Sequence, residues 1–239
     1  MLAEVKQVRT TQPRVGTRKL LNHMRQKRIK IGRDSLFRLL RKEGMLVRKK
    51  RKGTRTTYSN HSYAVAPNRV KKLAVTRPLE VIVGDITYLR MEGNKFVYLY
   101  LLTDWYSRRI IGYHVSRDLT HYSALIAIHN AVENFGEGQI RGAIHHTDRG
   151  CQYCCHEYLK VLDQYGLVPS MTDENHCYQN SIAERVNGIL KDELDLDMAF
   201  STFAALKKAV DAAVSIYNEE RTHWRLHLKA PNQVFECAA

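Results

Sequence analysis

Val81-Ile82-Val83-Gly84-Asp85-Ile86-Thr87-Tyr88-Leu89 is a run of β-branched and apolar residues with a carboxylate at its centre. The run reads as a strand. An ionised Asp85 in mid-strand is costly unless a cation or a polar cleft compensates for its burial. Downstream, Gly93-Asn94 offers a turn, and Phe96 to Leu102 and Ile110 to Val115 are apolar and aromatic, so three consecutive antiparallel strands are the simplest reading. Helix period runs from Thr120 to Phe135 and stops at Gly136, and Ala143 to Thr147 reads as another short strand. Further helices are expected over His156 to Tyr165, Asn180 to Leu194 and Thr202 to Tyr217. Strands first, then strand and helix in alternation, describe a mixed α/β sheet flanked by helices.

Two more acids stand out against this frame. Asp148 follows the strand that contains Ile144, at its boundary with Arg149 and Gly150, and strand ends of open α/β sheets present ligand-binding groups. Glu184 sits on a predicted helix whose apolar stripe is Ile182, Val186, Ile189 and Leu190. At about 100° per residue, Lys191 falls within about 20° of Glu184, so the two share a face, with Asn187 at its border. Gly188, one turn after Glu184, leaves room there for a close neighbour. Taken singly, an Asp in a strand is usually an edge or turn feature and a Glu on a helix is usually solvated. Asp104, also acidic and also after a strand, is read as structural. Together, Asp85, Asp148 and Glu184 are oxygen ligands that suit magnesium or manganese. Two such ions about 4 Å apart would activate an attacking oxygen and stabilise a leaving one, which is most of what phosphoryl transfer requires.

The 239 residues suffice for one catalytic domain and a small appended module. The net charge of +14 is unevenly spread: residues 1–77 hold 23 Lys and Arg against 3 Asp and Glu, the remainder 15 against 21. A nucleic-acid-binding arm ahead of an acidic domain gives this distribution; a basic tail that only aids solubility is the alternative. Thr17 to Lys27 places Leu20, Leu21 and Met24 on one helical face, and Arg33 to Glu43 does the same with Leu36, Leu39 and Leu40. Gly32 can start the second helix, Asp34 suits its first turn and Gly44 its left-handed end. The pair resembles a helix-turn-helix, whose second helix enters a major groove. Arg33, Arg38 and the cluster Arg48, Lys49, Lys50, Arg51 and Lys52 are the expected phosphate contacts. The division predicted is a helical DNA-binding module over 1–47, a basic linker over 48–77 and a catalytic core over 78–239. No run of eighteen apolar residues appears, and the N-terminus is charged, so neither membrane insertion nor export is indicated and a cytoplasmic protein is expected. Five cysteines, an odd number, point to reduced thiols. Cys151 and Cys154 have the gap of a zinc knuckle, with His156, His176 and Cys177 as further candidates, but the second paired half of a structural site is missing.

Between Asp148 and Glu184 lie 35 residues, which is similar to the DD(35)E signature of retroviral-integrase-like transposases. Asp85-Ile86-Thr87-Tyr88-Leu89, then Asp104 with Ser107-Arg108, then His146-Thr147-Asp148-Arg149-Gly150 with Gln152-Tyr153, resemble successive blocks of the OrfB-type transposases of the insertion-sequence-3 family. Lys191 matches a basic residue of these enzymes, and Tyr217-Asn218, Arg221, His223, Leu226 and Pro231 resemble the family's closing motif. The resemblance covers about Val15 to Phe235. It implies a ribonuclease-H-like fold with a five-stranded mixed sheet over residues 78–239, with Asp85, Asp148 and Glu184 as catalytic metal ligands and Lys191 as a DNA contact. It also implies a magnesium-dependent reaction in which water or a 3′-hydroxyl attacks double-stranded DNA, on element ends and target. Homo-oligomers on DNA are implied, and a partner or fusion from an upstream frame carrying its own helix-turn-helix. Departures are Val83-Gly84, where a Trp is frequent, Gln179-Asn180, where Asp-Asn is usual, and Cys151, Cys154 and Cys155, where small hydroxyl residues are normal. The basic module also starts later than in typical relatives. Competing readings are a DNA-binding regulatory or inactive transposase remnant, which would bind without altering DNA, and a general nuclease or junction resolvase, which would cleave without joining.

Overall fold

The computed structural model describes residues 1–47, 63–174 and 177–238. Three short helices come first: α1 (Leu2–Thr11), α2 (Thr17–Gln26) and α3 (Arg33–Lys42). They close around their own apolar cluster of Val5, Val15, Leu20, Leu21, Met24, Leu36 and Leu40. The two expected helices are there, with Gly32 extended ahead of α3 and Gly44 left-handed at φ +65° beyond it. Helix α1 has no counterpart in the pattern because Val5 alone on it is fully buried. The basic cluster Arg48 to Lys52 lies outside the described residues. Chain 68–70 is already fastened to the core: Val70 packs with Val81, Val83 and Ala183, and Arg69 N donates to Ser170 Oγ at 2.9 Å.

Strands β1 (Val81–Met91), β2 (Lys95–Asp104) and β3 (Ile110–Ser116) form the expected antiparallel meander. Its first turn uses the left-handed Gly93 and Asn94, at φ +73° and +56°. After α4 (His121–Phe135) and the short α5 (Glu137–Ile140), β4 (Ile144–Thr147) pairs parallel with β1. The helices α6 (Cys151–Cys154) and α7 (His156–Gln164) lead to β5 (Val168–Met171), parallel to β4. The sheet is therefore mixed and five-stranded, ordered β3-β2-β1-β4-β5. The chain continues through α8 (Ser181–Glu193), α9 (Phe203–Glu219) and α10 (Pro231–Glu236).

Both sheet faces are covered, as the apolar strands require. Ile82, Tyr100, Leu102 and Ile111 pack under Ala124, Ile128 and Ala131 of α4 and Tyr158 and Leu162 of α7. Leu89, Leu99 and Leu101 pack on the opposite face against Val186, Ile189 and Leu190 of α8 and Leu206, Val210 and Tyr217 of α9. Helix α4 lies close to the sheet at Gly112, where a Cβ would stand 2.5 Å from the Ala127 carbonyl oxygen, so only glycine permits the approach. Among the described residues no helix is long and apolar enough to cross a membrane.

Candidate active site

The strand period decides where Asp85 points. Val81, Val83 and Leu89 of β1 face α8, so Asp85, in phase with them, faces α8 too. Strands β1 and β4 pair as Val81↔Ile144, Ile82↔His145 and Val83↔His146. Asp85 and Asp148 each stand two residues beyond the last of these pairs, so adjacent parallel strands, about 4.8 Å apart, deliver them side by side. Gly84 fits this neighbourhood, since a Cβ there would lie 2.9 Å from His145 Cε1 and 3.1 Å from Thr147 Cγ2. That crowding is a local reason for glycine at this position.

The third acid arrives on α8, which two asparagines clamp to β1. Asn180, immediately before α8, donates from Nδ2 to the Gly84 carbonyl at 3.0 Å, and Asn187 Nδ2 donates to Asp85 Oδ2 at 2.7 Å. Glu184 lies between these anchors, exposed in the first turn of α8. Gly188 faces open space, with no atom within 4 Å of a Cβ built there, so the close neighbour expected beside it is absent and the site is open on that side. Asp148 Oδ1 accepts from Gly150 N at 3.0 Å, which orients its carboxylate at the end of β4.

The charges respond to one another. Burial, then the charge of Asp148, then that of Glu184, push the Asp85 carboxyl up to about 7, against which the Ile86 N–H and Asn187 only partly compensate. Tyr153, fully buried beneath the acids, is driven well above the ordinary phenol range by burial, with Asp85 and Asp148 among the charges that add to it. Lys191 is half-buried; burial lowers its pKa while the charge of Asp85 works to raise it, so the lysine is in reach of the acidic group. The structure thus brings Asp85, Asp148, Glu184 and Lys191 into one electrostatic neighbourhood. The three carboxylates do not close to within 4.8 Å of one another: among the described residues so tight a group of His, Cys, Asp and Glu is formed by His121, Cys155 and Glu157. A pair of ions calls for a wider spread of ligands than one ion does. An all-oxygen donor set whose central member is destabilised as an anion fits a hard divalent cation, which would reverse that penalty.

Asp104 is fully buried, and its oxygens accept from Leu79 N at 2.8 Å, Ser107 N at 2.7 Å and Ser107 Oγ at 2.5 Å, so it fastens the turn after β2. Gln179 holds Asp173 through both its backbone N–H, at 2.6 Å, and its carboxylate, at 2.9 Å. Among the described residues no close group of metal ligands includes Cys151 or Cys154, and Cys154 is buried with its Sγ 3.6 Å from Met171 Sδ; His176 and the Cys177 side chain lie outside the described residues. Arg33 and Arg38 are exposed on α3, Arg33 paired with Asp34 at 2.8 Å.

The pattern alone did not disclose Glu193, the last residue of α8. It accepts from Arg221 Nε and an Arg221 terminal nitrogen at 3.1 and 2.9 Å, and from Lys19 Nζ of α2 at 3.1 Å. The helical module is thereby tied to the core, with Arg14 N on the Glu193 carbonyl at 3.3 Å. Beside this joint a cleft of about 1150 Å³ is lined by Arg14, Arg18, Arg108, Arg185 and Arg225 and by the exposed Trp224. None of the three acids borders it. Its field is strongly positive: burial, then the charges of Arg221, Lys19, Arg108 and Arg185, drive His223 down to about 2.

Two models of the integrase core domain match the chain, over residues 75–177 and 165–231. An uncharacterized 31 kDa protein of insertion element IS600 from Shigella sonnei is 34% identical over 218 residues, 90% of this chain and 79% of that protein. The transposase InsF of insertion sequence IS3A from Escherichia coli is 29% identical over 216 residues, 90% of this chain and 73% of its own length. In fold, the HTLV-2 integrase catalytic core domain, solved in complex with magnesium, superimposes with a TM-score of 0.52 at 20% identity, covering 66% of this chain and 97% of that one. A chain of the simian T-cell lymphotropic virus intasome, in complex with a PP2A regulatory subunit, gives 0.58 at 17% identity over 92% of this chain and 70% of its own.

Proposed function

Because the chain belongs to the integrase-core family that includes the transposases of bacterial insertion elements, we propose that it cuts and rejoins DNA with Asp85, Asp148 and Glu184 as its catalytic acids. The observation that carries the reading is the convergence on Asp85: Asp148 from the neighbouring strand and Glu184 from a clamped helix both act on its charge. The three residues would hold a pair of magnesium or manganese ions, which when bound polarise the scissile phosphate and activate the attacking oxygen. The chain's own groups do the positioning. Asn187 fixes the Asp85 carboxylate by occupying Oδ2, and Gly150 N fixes that of Asp148. Lys191, on the Glu184 face, meets a DNA phosphate as a point charge.

Element-end DNA is held over the helical module 1–47, by Arg33, Arg38 and the cluster Arg48 to Lys52 of the linker 48–77, and along the basic cleft beside Glu193. The core 78–239 performs the chemistry. The working form is an oligomer on double-stranded DNA in the cytoplasm, with sequence recognition aided by a helix-turn-helix partner from an upstream frame. Strand transfer on element-end DNA in magnesium tests the proposal: cleaved and joined products are expected. A shifted but unaltered DNA would make this a binding protein, and cleavage without joining would make it a nuclease.

A further inference from the structure

We propose a separate transition-metal site, for one zinc ion or a similar borderline-soft divalent ion, formed by His121, Cys155 and Glu157. Their ligand atoms all lie within 4.8 Å of one another. Donors around one tetrahedral ion are about 3.5 Å apart, so small rotamer changes close the group. The residues come from two distant segments: His121 opens α4, while Cys155 precedes α7 and Glu157 is in its first turn. Independently of this proximity, His121 Nε2 is sealed from solvent and has no hydrogen-bond partner. A buried ring nitrogen without a partner is the kind of group that calls for an explanation, and an ion is one. Cys155 is buried, with its Sγ 3.6 Å from the Gln152 carbonyl oxygen and the Tyr158 backbone also bonding to it, while Glu157 is exposed, so the group opens to solvent on one side.

The donor chemistry selects the ion. One thiolate, one imidazole and one carboxylate suit zinc, whereas magnesium and calcium take oxygen ligands, so this group and the acidic triad are chemically distinct. Burial pushes the Cys155 thiol up, and a metal binds the thiolate rather than the thiol. On binding, the S–H bond breaks, a sulfur–metal bond forms and the proton leaves to solvent, while three protein ligands leave one corner for water. The ion would join the start of α4 to the corner between α6 and α7, seven residues beyond Asp148. It would brace the segment that follows Asp148 without entering the reaction, and this inference does not rest on the proposed function.

The test uses the whole purified chain. Zinc is counted after dialysis, and cobalt is titrated as a spectroscopic stand-in whose near-ultraviolet absorption reports a bound thiolate. We expect one zinc per chain and a cobalt–thiolate band that is lost in Cys155→Ser but kept in Cys151→Ser, Cys154→Ser and Cys237→Ser. Glu157→Gln, at an exposed position, and His121→Gln should each weaken cobalt binding roughly 100-fold, the upper end of the loss seen for even an outer partner of a metal. Absence of a thiolate band, or a band that survives Cys155→Ser, overturns the site. Should Cys155→Ser fail to fold, unchanged cobalt affinity in folded Glu157→Gln overturns it equally.

Discussion

Asp85 and Asp104 occupy neighbouring strands of one sheet, and their surroundings are opposite. Asp104 ends β2 and has three donors, two from Ser107 in the turn that it organises and one from Leu79 ahead of β1. Asp85 sits in mid-strand with one backbone N–H and one asparagine, and the charges of two other carboxylates act to raise it. Burial raises both carboxyls, but around Asp104 every further influence lowers the pKa again, whereas around Asp85 the acids add to the rise. The contrast separates a carboxylate that the fold needs from one that it merely tolerates. Structural acids collect donors; an acid with two others beside it is the arrangement on which the proposed cation binding rests.

The comparison breaks most visibly in activity. Asp85→Asn should cut strand transfer by at least about 1000-fold, roughly 4 kcal/mol of barrier, while the variant folds and still shifts DNA; retained joining would remove Asp85 from the catalytic set. Asp104→Ala should do the reverse, leaving three buried donors unmatched and costing about 3 kcal/mol in denaturant unfolding. An unchanged midpoint would erase the distinction between the two aspartates. Glu193 extends the structural class: Glu193→Gln strands the nearly fully buried Arg221, so a loss of about 2 kcal/mol is expected, together with faster proteolysis between module and core. Asn187→Ala frees the Asp85 carboxylate to turn, and a roughly tenfold fall in turnover with the fold retained is expected, as for partners that orient metal ligands.

The smallest signal belongs to metal-free protein. Asp85 rises from 3.8 to about 7 on folding, so the folded state binds the extra proton and stability declines as pH climbs through that interval. Above pH 7 Asp85→Asn should therefore melt a few degrees higher than the parent, with the gap closing towards pH 3.8. Glu193 has the opposite sign. Burial alone would raise it, but Arg221 and Lys19 bring it below 4.5, so its contribution is present above 4.5 and lost as the solution turns more acidic. A thermal series across pH that gave both acids the same slope would contradict the assignment.

Much of this was legible before any coordinates. Branched residues from Val81 to Leu89, the turn at Gly93-Asn94 and the stripe on α8 are local signals, and the elements follow them within two residues. The 35-residue spacing from Asp148 to Glu184 carried the proposed site, because the resemblance supplied what spacing alone does not. Three things were hidden, for different reasons. Helix α1 has too few apolar residues to show a period, since its burial comes from packing on α2 and α3. β5 contains Pro169 and Ser170, which break the strand pattern, yet a parallel partner on one side suffices to hold it. The work of Asn180, Asn187 and Glu193 lies in contacts between distant segments, from 28 positions for Glu193 with Arg221 to 174 for Glu193 with Lys19, and no local window contains such a pair.

Helix α8 holds Glu184 in its first turn and Glu193 at its last, about 13 Å apart along the axis. One end leans on the acids, while the other is gripped by Lys19 of the N-terminal helices. A hydrogen-bonded helix transmits displacement along its length rather than absorbing it. A displacement of the N-terminal helices relative to the sheet would therefore strain the Lys19–Glu193 contact at one end of α8 and the two asparagine bonds to β1 at the other. The N-terminal helices and the acid-bearing strand are thus fastened to opposite ends of a single helix.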